Sequence, residues 1–333
     1  MKRFFKRVLL LISVPFLALL FLYFITDPFK TLKPFSFQYF DKMNRDYLST
    51  ELFLRNNPSH HYDSFILGSS RCYGFNTYHW KYHLSPDSRQ FLFQAWCETL
   101  TGMQQKLDYL DRNGNELRHV LLLIDIPGTF AEPQCSKECV YIKHYRFSGQ
   151  PKWAFQACMF WGFLQMPSRW LPALRQLVVP EPLEFTADTV TNDLDQNNRF
   201  ADVTLQPTKD SLVDFSDKAK QAYLKRIEGK SDADLRTSKP LITDGFQKQL
   251  RHLKAVFDKH HTDYRIVVSP AYCYTHLSIN PQDLELLQTI FGSDRVFDYS
   301  GKNHLTTDCF NFSDAEHFSQ HVGWQIIEEI YKN

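Results

Sequence analysis

The chain has 333 residues, with 38 Lys and Arg residues against 37 Asp and Glu residues, so its formal net charge is +1. This balance excludes nucleic acid as the default partner, because phosphate binding needs a basic excess on one face of a protein. Hydrophobic residues make up 43% of the chain and charged residues 23%, which suits a folded core and excludes a disordered chain.

The first predicted element is an apolar run from Val8 to Thr26 that contains no charge. A helix of this length, rising about 1.5 Å per residue, just crosses a hydrocarbon layer of about 30 Å. We therefore predict a cytoplasmic tail at 1–7, a transmembrane signal-anchor at 8–26 and an extracytoplasmic remainder. The orientation follows from the basic residues Lys2, Arg3, Lys6 and Arg7 that precede the run. A cleaved signal peptide is the competing interpretation, but the bulky residues Tyr23 to Ile25 lack the small-residue cleavage pattern.

A juxtamembrane segment at 27–60, with a helix near Asp41 to Leu54, leads to a domain at 61–333. In that domain, short apolar runs alternate with helical patterns, as expected when buried parallel strands alternate with helices. The pattern predicts an α/β fold with a mainly parallel central sheet. The predicted strands are 64–67, 91–95, 120–126, 265–269 and 296–299, and the predicted helices are 101–110, 246–257, 284–291 and 322–331.

The alternation is lost between about 129 and 245. This stretch carries Trp153, Trp161 and Trp170, and its later part holds the polar run Thr191 to Arg199. We interpret it as an aromatic-rich insertion into the α/β core, since insertions at the carboxyl edge of a parallel sheet commonly shape access to a ligand. A solvated, partly helical excursion without ligand contact is the alternative.

Two motifs at opposite ends of the domain carry reactive side chains. In FILGSSR, Phe65 to Arg71, an apolar strand ends in a small-residue turn that presents a serine hydroxyl at the edge where open α/β sheets bind ligands. In DAEHF, Asp314 to Phe318, an aspartate precedes a histidine by three residues, just before the last helix. The carboxylate can then hold one imidazole tautomer while the other ring nitrogen faces a hydroxyl nucleophile. Either motif alone is weak, and their order and flanking elements give the pair its specificity.

With these motifs the sequence resembles the SGNH/GDSL hydrolases, over roughly 60–128 and 245–333. Gly68-Ser69-Ser70 stands where that family has Gly-Asp-Ser, and Asp314 to His317 matches its carboxyl-terminal Asp-x-x-His. The resemblance implies an SGNH-like three-layer sandwich, with Ser70 as nucleophile, His317 as general base and Asp314 orienting His317. Within the superfamily, the chain is most similar to membrane-anchored, extracytoplasmic members such as the D-alanine transfer protein of teichoic acid modification and, more distantly, the alginate O-acetyltransferases.

The resemblance also implies an oxyanion hole. The family uses the N–H of the nucleophile, a glycine N–H after the second strand and an asparagine side chain after the third. Ser70 and Gly102 are the corresponding donors here. The third position holds Asp125, whose charge would repel an oxyanion, so we leave Asp125 out of the catalytic set. Either another group such as the Gly128 N–H replaces it or activity is low, since one lost donor costs about 100- to 1000-fold in rate.

Four further residues have two interpretations each. Arg71, next to Ser70, binds an anionic acceptor or pairs with a core carboxylate. Tyr272, after the fourth strand, lines the substrate pocket or packs in the core. His79 and His83 have the i, i+4 spacing of helix-borne metal ligands, but the sequence indicates no third ligand, so we predict no metal site.

Together, these observations predict an extracytoplasmic serine O-acyl esterase or O-acyltransferase, anchored by a single membrane helix in a bacterial envelope. It would act on cell-envelope glycan or a related polymer through an acyl-serine intermediate, without a cofactor. The expected partners are a cell-envelope polysaccharide or acylated glycan and, from the resemblance, a polytopic membrane-bound O-acyltransferase. The alternative is a catalytically inactive SGNH-like scaffold that binds glycan or such an acyltransferase, which the missing third oxyanion donor favours.

Overall fold

A computed structural model describes residues 1–35, 44–131, 139–178 and 217–332. The chain divides into two compact units, Met1–Glu51 with Gln134–Val190, and Leu52–Pro133 with Thr191–Asn333. The polar run Thr191 to Arg199, which we assigned to the insertion, lies outside the described residues.

The second unit contains the strands. In chain order they are β1 (Ser64–Gly68), β2 (Gln90–Gln94), β3 (His119–Ile124), β4 (Arg236–Thr237), β5 (Asp263–Val268), β6 (Leu277–Ser278) and β7 (Val296–Asp298). Five of them form a parallel sheet in the order β2-β1-β3-β5-β7, while β4 and β6 pair separately. The predicted α/β fold with a mainly parallel central sheet is confirmed, and this arrangement is consistent with a three-layer sandwich.

Each predicted strand falls on an observed strand of the five-stranded sheet. All five residues of β1 are buried, as are the last five residues of β3. Strands buried on both faces need apolar side chains at successive positions, which explains the continuous apolar runs in the sequence. The sheet order reverses between β1 and β3, and the carboxyl ends of strands at such a reversal form a crevice that binds ligands in open α/β sheets.

The described helices, in chain order, are α1 (Lys2–Thr26), α2 (Arg45–His60), α3 (Thr77–Lys81), α4 (Leu100–Arg112), α5 (Tyr145–Ser148), α6 (Lys152–Gln165), α7 (Trp170–Val178), α8 (Asp217–Ile227), α9 (Asp244–His260), α10 (Pro281–Phe291) and α11 (Gln320–Ile330). The four helices predicted within the α/β pattern correspond to α4, α9, α10 and α11. The helix expected to end near Leu54 continues to His60, and His61 follows it in a left-handed conformation, φ 50°.

The first unit has an apolar core of its own, which joins residues of α1, α2 and α6. Tyr23 of α1 packs edge to face against Phe160, and Tyr47 stacks on Phe155 at 5.6 Å between ring centroids. Asp27 is the residue after α1, and its side chain accepts a hydrogen bond from the backbone N–H of Thr31 at 2.9 Å. This bond orders the chain that follows the helix. A helix with the length and apolar composition of a membrane crossing is not found among the residues that the structure describes.

Candidate active site

Ser70 lies at the carboxyl end of β1, as the first residue of a 3-10 helix, Ser70–Gly74. The side chain of Ser69 caps this helix by accepting the N–H of Arg71 at 3.1 Å. Gly68 forms the bend before it with φ 156°, and a Cβ there would collide with Cys72 and with Leu123 of β3. Glycine at 68 is therefore required for the strand to turn directly into the helix that carries Ser70.

His317 lies on a loop that is closed by main-chain hydrogen bonds. Phe312 and Phe318 form an antiparallel bridge across the loop, and the N–H of Ser313 donates to the carbonyl of His317 at 2.8 Å. The N–H of Tyr272 donates to the carbonyl of Ala315 at 3.0 Å, which ties the loop to the segment after β5. The loop is therefore held by hydrogen bonds within itself and by a hydrogen bond to the segment after β5.

The loop and the 3-10 helix bring Ser70, His317 and Asp314 together. The Oγ of Ser70 lies 2.8 Å from Nε2 of His317, and Nδ1 of His317 lies 2.9 Å from Oδ2 and 3.0 Å from Oδ1 of Asp314. A carboxylate accepts hydrogen bonds, so Nδ1 carries the proton and Nε2 accepts from the serine hydroxyl. This is the tautomer that a general base needs.

Asp314 stays ionised because of its partners. Burial raises the pKa of this carboxyl, but the hydrogen bond and charge of His317 outweigh burial, and the N–H groups of Glu316 and His317 add to them. Those two N–H groups donate to Oδ1 at 2.8 and 2.9 Å. The pKa of Asp314 therefore lies well below its usual range, and the carboxylate can stabilise a protonated imidazole.

Close packing fixes the position of the 3-10 helix against α11. A Cβ at Gly74 would overlap the ring of Phe318, and a Cβ at Gly323 would overlap the backbone carbonyl of Gly74. Since α11 follows directly on the His317 loop, the contact between these glycines sets the distance between Ser70 and His317.

We expect Gly323→Ala to destabilise the protein by about 1–3 kcal/mol and to slow acylation of Ser70, because the methyl group forces α11 away from a backbone that cannot yield. Denaturant unfolding and the rate of labelling by an activated phosphonate measure the two effects. The control is Gly245→Ala on α9, where a Cβ meets only Thr243 at 3.6 Å. That variant should keep its stability or gain up to about 1 kcal/mol. Equal effects of the two substitutions would contradict the role of the glycine contact.

The expected oxyanion donors differ in their surroundings. Ser70 begins its helix, and the first N–H groups of a helix have no partner within it. Gly102 lies inside α4, where its N–H donates to Oγ1 of the helix-capping residue Thr99 at 3.3 Å. The Gly102 N–H is thus engaged in a helix cap, which leaves the Ser70 N–H as the better placed of the two expected donors.

The loop after β2 lies beside the turn that carries Ser70, because the N–H of Ala95 donates to the carbonyl of Gly68 at 3.2 Å. In this loop Cys97 is exposed and has a positive φ of 49°. Non-glycine residues with such a backbone concentrate at functional sites. Sequence patterns do not reveal this feature, since a cysteine gives no signal for a left-handed conformation.

Arg71, the residue after Ser70, lies close to Asp125. The Nε of Arg71 lies 3.7 Å from Oδ1 of Asp125, and its NH2 group lies 3.9 Å from Glu316. Glu316 in turn lies 3.2 Å from Nε2 of His276. The hydrogen bond from His276 lowers the pKa of Glu316 below its usual range, despite the opposing effect of burial. Arg71 therefore contacts two carboxylates, which matches the core-carboxylate interpretation.

Tyr272 is buried and packs within the core. Its ring lies edge to face with Tyr274 at 5.4 Å and with Phe312 at 6.4 Å between centroids. Of its two interpretations, packing beneath the His317 loop is the one that these contacts match.

His276 was missed by sequence analysis because an isolated histidine in a loop has no recognisable pattern, whereas Glu316 was visible inside the DAEH motif.

The remaining candidates, His79 and His83, are brought to a third side chain, Glu328 of α11. Sequence patterns did not indicate this contact, because most of the domain's sequence lies between the two histidines and Glu328.

No protein-family model matches the chain, and no curated protein matches it.

Proposed function

We propose that the protein is a serine O-acyl esterase or O-acyltransferase with an SGNH-like fold. The observation that carries this proposal is the continuous contact from Ser70 through His317 to Asp314, at 2.8 and 2.9 Å. A serine hydroxyl is a weak nucleophile at neutral pH, and a neighbouring base that is oriented by a carboxylate is what activates it.

In the proposed mechanism, the Oγ of Ser70 attacks the carbonyl carbon of an ester or thioester while its proton passes to Nε2 of His317. The resulting oxyanion is stabilised by the N–H of Ser70. Collapse expels the leaving group, which takes the proton from His317, and leaves an acyl-serine. Water or a sugar hydroxyl then gives its proton to Nε2 of His317 and attacks the acyl carbon. His317 returns this proton to the Oγ of Ser70 as the bond from the acyl carbon to Oγ breaks, which releases an acid or a new ester and restores Ser70.

The proposed acceptor is a cell-envelope glycan or a related polymer, outside the cytoplasm of a bacterial cell. In the aromatic-rich segment, Trp153 and Trp161 are exposed and could stack on the apolar face of a sugar ring.

We propose that the run Val8 to Thr26 anchors the chain in a membrane, beside a polytopic O-acyltransferase as partner. This part rests on the sequence run and on the exposure of apolar side chains of α1 such as Leu17 and Phe21. Extraction of membranes with alkaline carbonate tests it, since an anchored chain stays in the pellet.

The proposed function is tested by labelling the detergent-solubilised full chain with a fluorophosphonate, which reacts with activated serines. We expect labelling of the wild type, none of Ser70→Ala, and a decrease of about a hundredfold or more in His317→Ala. The control is His304→Ala, which removes a mostly exposed histidine that lies 3.3 Å from Glu329 and belongs to no proposed site. Its labelling should equal that of the wild type. Unlabelled wild type with native-like thermal unfolding would contradict an activated Ser70.

A second candidate is an inactive scaffold that binds glycan or a membrane-bound acyltransferase. Asp125 in the place of an oxyanion-stabilising asparagine and the engaged N–H of Gly102 favour it. If the wild-type protein binds envelope polysaccharide but is not labelled by a fluorophosphonate, the scaffold is supported.

A further inference from the structure

A cluster of metal-ligating side chains lies where α11 packs against α3 and the turn that follows it. His79 belongs to α3, His83 follows it by one helical turn, and Glu328 projects from α11. The Nε2 atoms of His79 and His83 lie 2.8 and 3.3 Å from the same carboxylate oxygen, Oε1 of Glu328. One ligand atom from each residue falls within 4.8 Å of the other two.

The type and spacing of these atoms suit a zinc ion. Two imidazole nitrogens and one carboxylate oxygen form a donor set that Zn²⁺ commonly takes. With metal–ligand bonds of about 2.0–2.2 Å in a tetrahedral site, neighbouring ligand atoms lie about 3.3 Å apart. The distance from His83 to Glu328, 3.3 Å, equals this value, and the distance from His79 to Glu328, 2.8 Å, is about 0.5 Å shorter. Side-chain rotations that separate His79 from Glu328 would therefore admit the ion.

The three side chains differ in how far they are buried. His79 is 3% exposed, and the indole of Trp324 stacks on its ring at 3.4 Å between centroids, which fixes the imidazole plane. The side chains of His83 and Glu328 are 18% and 44% exposed, so the cluster opens toward solvent on their side. A buried, oriented ligand with an open side leaves room for water as the fourth ligand.

We propose that His79, His83 and Glu328 form a zinc site that joins α3 to α11. His79 and His83 lie early in the sequence of the domain, and Glu328 lies near its carboxyl end. Only the folded chain brings the three together, so binding of the ion would stabilise the fold. The site takes no part in the chemistry proposed for Ser70, and the inference does not rest on that function.

The test is titration of the full chain, stripped of metal by EDTA and desalted, with ZnCl₂ in competition with a chromophoric chelator. We expect one ion per chain, a higher thermal unfolding temperature with Zn²⁺, and the visible absorption bands of tetrahedral Co²⁺ when CoCl₂ replaces ZnCl₂. His83→Ala and Glu328→Gln should each weaken Zn²⁺ binding by about a hundredfold or more. Because Glu328 is partly exposed, Glu328→Gln keeps the test valid should the histidine variant fold poorly.

The matched control is His252→Ala on α9, whose Nε2 lies 2.6 Å from Asp108 as a surface pair. That variant should bind zinc as the wild type does. Absence of binding in folded wild type would overturn the proposal and leave a hydrogen-bonded trio, and so would equal affinity of wild type and both ligand variants. Fluorophosphonate labelling of the EDTA-treated protein reports on Ser70 separately, so either proposal can fail without the other.

Discussion

Replacing Ser70 with alanine is expected to lower hydrolysis of an activated ester by about a thousandfold or more, whereas replacing its neighbour Ser69 should change the rate only a fewfold. The two hydroxyls are adjacent in sequence but have different partners. The Oγ of Ser70 lies 2.8 Å from Nε2 of His317, whereas the Oγ of Ser69 accepts the N–H of Arg71. Only the first can lose its proton to a base, and removal of an activated nucleophile is among the largest single effects in serine hydrolases.

Ser69→Ala is the matched control because it removes the same atom one residue away. It should cost about 1 kcal/mol of stability through loss of the helix cap, which thermal unfolding measures, while steady-state kinetics measure the rates. A Ser69→Ala variant that is inactive and unlabelled, beside an active Ser70→Ala variant, would reassign the nucleophile. Equal rates in both variants and the wild type would show hydrolysis elsewhere in the protein.

The sequence predicted the centre of the sheet well because β1 and nearly all of β3 are buried on both faces. The runs at 64–67 and 120–126 consist almost wholly of large apolar residues, and they overlap β1 and β3, which are neighbours in the sheet. Local patterns were also sufficient to propose the Ser70 turn and the DAEH loop, because each motif is contiguous in the chain and adjoins a predictable element.

Contacts between distant segments could not be predicted in this way. Glu328 meets His79 through the packing of α11, and His276 meets Glu316 through the loop after β5. Gly102 occupies the expected place after the second strand, but its N–H orientation depends on where α4 begins and on Thr99 as its cap. Sequence spacing carries no information on such packing and capping details.

Replacing Lys106 with methionine is expected to destabilise the protein by about 3–5 kcal/mol, although the side chains are similar in size. Lys106 of α4 lies 2.6 Å from Oε2 of Glu98, and the two side chains are only 2% and 0% exposed. The ammonium group also lies 4.9 Å from the ring centroid of Phe93. Methionine would fill the space but leave a buried carboxylate without this counter-charge. Denaturant unfolding of the variant measures the loss.

The control for charge removal is Lys254→Met on α9, since Lys254 pairs with Asp258 at the surface, and this variant should cost no more than about 0.5 kcal/mol. Adding Glu98→Gln to Lys106→Met should recover much of the lost stability, because the buried charge is then absent. Recovery would attribute the loss to the buried charge, whereas a double variant less stable than Lys106→Met would attribute it to packing.

Because Glu98 also accepts the N–H of Thr99, the residue before α4, this pair helps to hold the loop that adjoins the Ser70 turn. Glutamine at 98 keeps an oxygen that can accept this N–H, so fluorophosphonate labelling should slow in Lys106→Met and recover together with stability in the double variant.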